Sequence, residues 1–187
     1  FFFRGESQMI IAGDPGASGA IAWKRRGLPA ECCGMPETRG DAITALRRMQ
    51  MLADAAGEPL VGYHEKVANY VECGGASAMM QFGRNAERCA CIMETLGIPL
   101  VEIAPQAWQK ALGLGKSERV KCDADAGPEA KKKAREHNAK AKRDWKNKLK
   151  AEAQRRFPHL KVTLGNADAL LILAAALGLP ENSGEHA

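Results

Sequence analysis

Three short apolar runs crowd the start of the chain: Met9 to Gly13, Gly19 to Trp23 and, more weakly, Ala30 to Met35. The gaps between them are too short for a helix. The runs must therefore turn back on one another as antiparallel strands. Asp14-Pro15-Gly16 closes the first run, since proline cannot continue a ladder and glycine permits a tight turn. The pattern then changes. Ile43, Leu46, Met49 and Leu52 recur every three residues within Asp41 to Ala56, a helical spacing that Gly57 and Pro59 end. Leu60 to Glu65 reads as a fourth strand, Asn69 to Ala76 as a glycine-rich loop and Ala76 to Leu96 as a long helix with small residues at Gly83, Ala86 and Ala90. Leu100 to Ala104 reads as a fifth strand. Strands reached through helical crossovers run parallel. The expected fold class is α/β, a mixed five-stranded sheet with strands 1–3 antiparallel, strands 4 and 5 parallel to strand 1, and helices on both faces.

After the fifth strand, Pro105 opens a short helix through Leu112, and Gly113 to Gly127 reads as a flexible stretch. Glu129 to Phe157 reads as one very charged helix. Trp145, Leu149, Ala153 and Phe157, each four residues on, form an apolar line that should dock its second half on the body, leaving Lys131-Lys132-Lys133 mobile or bound to a partner. Ala167 to Leu177 is almost wholly apolar and should be a buried helix. The 187 residues, 45% of them apolar, suit one domain with a real core. Its expected limits are 9–178, with a basic helical insertion at 116–156, residues 1–8 read as a tag or disordered start and 179–187 as a disordered tail.

No apolar run reaches the roughly 18 residues of a membrane span, and the opening residues match no signal peptide. The six cysteines form no C-x-x-C pair, so reduced thiols in a cytoplasmic compartment are expected, without zinc.

Asp14 falls at the carboxyl end of the first strand and Glu65 at the carboxyl end of the fourth. If those strands are parallel neighbours, both acids open at the edge where α/β sheets bind ligands. Asp168 interrupts the final apolar helix near its start, where the helix dipole alone would favour an acid. Three carboxylates brought together repel one another unless a cation lies between them. Hard oxygen donors suit Mg²⁺ or Mn²⁺. Two such ions about 4 Å apart could activate water and stabilise the leaving oxygen of a phosphodiester.

Charge is unevenly spread. From Lys116 to Arg156 there are 15 Lys and Arg against 7 Asp and Glu, whereas the remainder carries 12 against 15. A near-neutral body with one basic segment suggests a polyanionic partner, nucleic acid first. The candidate phosphate contacts are Lys116, Lys131, Lys132, Lys133, Arg135, Lys140, Lys142 and Arg143.

Several segments resemble, in order, the motifs of RuvC-type Holliday-junction resolvases of the ribonuclease H-like superfamily, the phage branch especially. Ile10-Ile11-Ala12-Gly13-Asp14-Pro15-Gly16 with Ser18 to Ala22 resembles the first-strand motif, and His64-Glu65-Lys66-Val67 the second acidic motif. Phe82-Gly83-Arg84-Asn85 through Pro99 is similar to the central helix. Pro105 to Gly113 resembles the proline–tryptophan–lysine segment, and Ala167 to Ile172 the final acidic helix. The resemblance implies a ribonuclease H-like fold and a homodimeric, Mg²⁺- or Mn²⁺-dependent endonuclease that nicks four-way DNA junctions in the host cytoplasm. It makes Asp14, Glu65 and Asp168 metal ligands and catalytic residues, Lys110 a basic residue near the scissile phosphate, and Tyr70 a wedge into the junction. Members often carry a second acid or a His near the last Asp. Here that neighbourhood holds only Asn166, whose carbonyl oxygen could serve as a ligand. The alternatives are a catalytically impaired branched-DNA-binding protein on the same fold and a flap- or fork-specific nuclease.

Overall fold

A computed structural model describes residues 8–15, 18–66, 76–123 and 125–178, with backbone alone for 76–82 and 84–86. The strands are β1 (Met9–Gly13), β2 (Ala20–Lys24), β3 (Glu31–Gly34), β4 (Leu60–Glu65) and β5 (Leu100–Ile103). The helices are α1 (Arg39–Ala56), α2 (Ala76–Thr95), α3 (Pro105–Ala111), α4 (Pro128–Arg156) and α5 (Ala167–Gly178). They form one sheet in the order β3-β2-β1-β4-β5. β1, β2 and β3 are antiparallel, while β4 and β5 run parallel to β1. This is the ribonuclease H-like arrangement.

β1 is the centre, buried along its whole length, because both sheet faces are covered. Side chains alternate across a strand, so Met9, Ile11 and Ile21 point into one layer with Ala42, Leu46 and Met93 of α1 and α2. Ile10, Ala12, Ala20 and Ala22 point into the other, with α5, Trp108 of α3, and Leu149 and Ala153 of α4. Gly62 permits the first packing, since a Cβ there would stand 2.6 Å from Met93 Sδ. Gly165 does the same for the second. A Cβ on it would run into the Ser18 carbonyl oxygen, so the approach to α5 can lie tight against the β1–β2 connection.

The described residues of 113–123 differ from the flexible segment their composition suggests. Asn138 imitates a backbone pair, accepting from Val120 N–H at 2.9 Å and donating to Val120 O at 3.0 Å. A His137 ring nitrogen meets Glu118 O at 3.0 Å, and Lys148 Nζ donates to Leu114 O at 2.9 Å. The segment is thereby stitched along α4, including the half carrying Lys131-Lys132-Lys133, which is continuous helix. Among the described residues no helix is long and apolar enough to cross a membrane. The expected disordered ends, 1–8 and 179–187, fall almost wholly outside the described residues.

Candidate active site

Register brings the first two acids together. Gly13 pairs with His64 across the parallel β1–β4 ladder, so Asp14 and Glu65 follow side by side at its carboxyl end. Ile10 and Ala12 face α5, as does Tyr63; two residues further along each strand, Asp14 and Glu65 fall on that same side. The Asp14 N–H donates to Ala20 O at 3.0 Å, which fixes where the hairpin leaves the sheet. The third acid comes from α5, which packs on β1, β2 and β4. Asp168 lies in its first turn and is buried.

The acids sense one another. Burial first, then the charges of Asp14 and Asp168, pushes the Glu65 carboxyl up to about 7, against smaller opposing effects of Trp108 and Lys146. Trp108 Nε1 donates to Glu65 Oε2 at 3.0 Å. Trp108 itself is 1% exposed, so the carboxylate is aimed by a ring that cannot move without opening the core. Lys146 Nζ bonds Asp168 Oδ2. Burial alone would depress the Lys146 ammonium, but the charge and hydrogen bond of Asp168, with the charges of Asp14 and Glu65, raise it overall. One ammonium therefore faces three carboxylates.

The donor chemistry fits a hard divalent cation. Asp168 Oδ1 is buried with no hydrogen-bond partner among the described residues, and such an atom is costly unless something positive reaches it. The acids do not, however, form a ready cage. Among the described residues, no three His, Cys, Asp or Glu side chains are grouped to hold an ion. Without a divalent cation, mutual repulsion opposes such a grouping.

The other expected site residues are placed as follows. Asn166 is engaged in the turn before α5: its Oδ1 accepts from Thr163 N–H at 2.7 Å, its N–H donates to Thr163 Oγ1 at 3.3 Å, and its Nδ2 donates to Lys161 O at 3.2 Å. Its carboxamide is spent on the chain reversal that delivers Asp168. Lys110 lies exposed in the last turn of α3, two residues beyond Trp108, which makes the contact with Glu65. Tyr70 lies outside the described residues. Lys116 is exposed on the stitched segment, where with Lys140 it lines a cleft of about 370 Å³ against α4. Lys132, Lys133, Arg135, Lys140, Lys142 and Arg143 are exposed on α4, and Lys131 is partly covered. Arg143 lies 3.9 Å from Asp144.

Sequence reasoning missed two residues of the site, Trp108 and Lys146. Trp108 stood inside a quoted motif but without a role. Lys146 is hidden among lysines, although it lies three residues before Leu149 and seven before Ala153, on the face of α4 that docks.

No family model and no curated protein matches the chain. Two solved structures of Thermus thermophilus RuvC are similar to it, each at 13% identity. One, in complex with a Holliday junction substrate, covers 90% of this chain and 91% of its own with a TM-score of 0.46. The other covers 90% and 92% with a TM-score of 0.45.

Proposed function

We propose that the chain is a divalent-metal-dependent endonuclease of branched DNA, a Holliday-junction resolvase of the phage RuvC type, working as a homodimer in the cytoplasm. The observation that carries this reading is the coupling of Asp14, Glu65 and Asp168 at one sheet edge, with the Glu65 carboxyl pushed up to about 7. Acids crowded at a partly buried edge are costly to the fold. A cluster of this kind has a natural use in holding Mg²⁺ or Mn²⁺ against a phosphodiester.

Asp14, Glu65 and Asp168 would hold the ion. Bound there, it would polarise a phosphoryl oxygen and lower the pKa of a water. The chain's own residues do the positioning. Trp108 fixes the rotamer of Glu65 through Oε2. Lys146 fixes Asp168 through Oδ2. Lys110, exposed at the end of α3, is a proposed phosphate contact.

The basic helix supports a DNA partner. At 100° per residue, Lys142, Arg135 and Lys131 share the azimuth of Lys146, Leu149 and Ala153, and lie about 6, 16 and 22 Å from Lys146 along the axis. Such a row could guide a phosphate backbone toward the acids without reading sequence, as recognition of branch shape requires.

The test is incubation of the protein with a synthetic four-way junction and Mn²⁺. Wild type should nick opposed strands. Asp14→Asn should shift the junction's mobility but cut at least roughly a hundredfold more slowly, since even loss of a partner that only orients a metal ligand costs about 10–100-fold. Equal cutting by both removes Asp14 from the chemistry. Flap and fork substrates in parallel identify the preferred branch. The absence of a ready three-acid cage among the described residues favours one second reading, a branched-DNA-binding protein without cleavage. That protein would shift the junction and never nick it.

A further inference from the structure

We infer that Lys146 is a built-in cation of the site, and that the three acids take one divalent ion beside it, not two. The inference rests on the nuclease reading above and concerns how that site is filled.

Lys146 reaches the site from α4, a different element from any that carries the acids. Its Nζ bonds Asp168 Oδ2, and it interacts electrostatically with Asp14 and Glu65 as well. The Asp168 side chain is only 10% exposed while that of Lys146 is 40% exposed. The lysine therefore extends its stem along the body and delivers its charge inward. Its helix is pinned at both flanks of this contact, which keeps the base of the side chain beside the acids. Leu149 and Ala153 are buried in the core below it, and Lys148 and Asn138 tie the helix to the stitched segment.

Donor supply points the same way. Two ions would have to share the three carboxylates, each taking one or two of them beside water and phosphate, and one of those oxygens is already committed to an ammonium. Asp168 retains a single unpartnered oxygen, Oδ1. The neighbour that could have been a fourth donor, Asn166, uses its carboxamide in the turn with Thr163 and Lys161. Charge balance completes the argument. Three carboxylates carry three negative charges, and one ammonium with one divalent ion carries three positive. A second divalent ion would enter a site already neutral and beside a fixed positive charge.

The experiment counts ions without using activity. Bound Mn²⁺ is measured by the loss of the free aquo-ion EPR signal as wild type, Lys146→Met and Lys146→Arg are titrated, with Asp14→Asn as a control for ions bound elsewhere. Above that control, wild type and Lys146→Arg should each take one ion and Lys146→Met two. Two ions in wild type would overturn the proposal, as would one ion of unchanged affinity in Lys146→Met. Should Lys146→Met fail to fold, the wild-type count decides alone, one ion supporting the proposal and two overturning it. No ion in any variant would overturn the nuclease reading itself, and the built-in cation with it.

Discussion

α5 and α4 bring opposite charges to the same point from opposite kinds of helix. α5 has twelve residues, nine of them buried, and its one acid lies where a charge is expensive. α4 has 29 residues, of which Leu149 and Ala153 are buried, and most of the rest are exposed. The fold therefore treats the two differently. α5 is part of the core and has no freedom to choose where Asp168 goes. α4 is an attachment held by a short apolar line and a few polar ties, and its charges can serve a partner. Only Lys146, at the boundary between the docked and solvated halves, belongs to both regimes.

The contrast predicts how mutations divide, and the largest effect should come from α5. Leu171→Ala removes a fully buried side chain and should cost about 3 kcal/mol or more. Thermal denaturation should record a fall of roughly 6–12 °C. A fall under about 2 °C would mean that α5 is not the core element described here.

The second effect concerns the acid edge in metal-free protein. The Glu65 carboxyl is raised to about 7 from an unfolded value near 4.5. Its contribution is therefore fully present below about pH 4.5 and lost as pH rises through 7. Glu65→Gln keeps an oxygen for Trp108 and carries no charge. At pH 8 it should be more stable than wild type by up to about 3 kcal/mol, relative to the difference between them at pH 4.5. Denaturant titrations at the two pH values check this. A difference that does not change with pH would show that Glu65 is neither stripped of water nor crowded by the other acids.

Smaller still is the stitching of α4. Asn138→Ala removes both bonds to Val120 and should cost about 1 kcal/mol. Hydrogen exchange should show the Val120 amide opening while α5 stays protected. Simultaneous opening of α5 would contradict the division between the two helices.

The smallest effect on stability belongs to the exposed half of α4. Replacing Lys131, Arg135 and Lys142 together by Ala should move stability by less than about 0.5 kcal/mol per site. The same variant should make the salt dependence of log K for DNA shallower by up to about 3, or about 0.9 per lost contact. Replacing Lys133 and Lys140 instead should change that slope less per lysine removed, because at 100° per residue they lie about 120–140° around the helix from Lys146.

The sheet was legible because its evidence is local. Apolar runs too close together to enclose a helix have to be antiparallel, and runs separated by helices have to be parallel. That reasoning made β4 parallel to β1; that the two are neighbours, with Asp14 beside Glu65, entered as a condition, which the sheet order meets. Asp168 was legible because an acid in an apolar helix is conspicuous. Lys146 was not, since one lysine among the fifteen basic residues of 116–156 carries no mark of its role until α4 is docked. Trp108 was equally silent, because which polar group a buried indole meets depends on how α3 packs against α5. Asn166 was read as an available oxygen. Its use in the turn depends on the reciprocal contact with Thr163, which spacing suggests only once the chain reversal is known. The stitched segment was misjudged for a similar reason. Its composition is that of a loop, while its order comes from Asn138 and His137, 18 and 19 residues away in the chain.

The most direct test of the whole account is anomalous diffraction at the manganese edge from crystals grown with Mn²⁺. A single strong peak bounded by the carboxylates of Asp14, Glu65 and Asp168, with the Lys146 ammonium beside it, is the expected result. A peak elsewhere, or carboxylates that stay apart with no ion among them at saturating Mn²⁺, would contradict it.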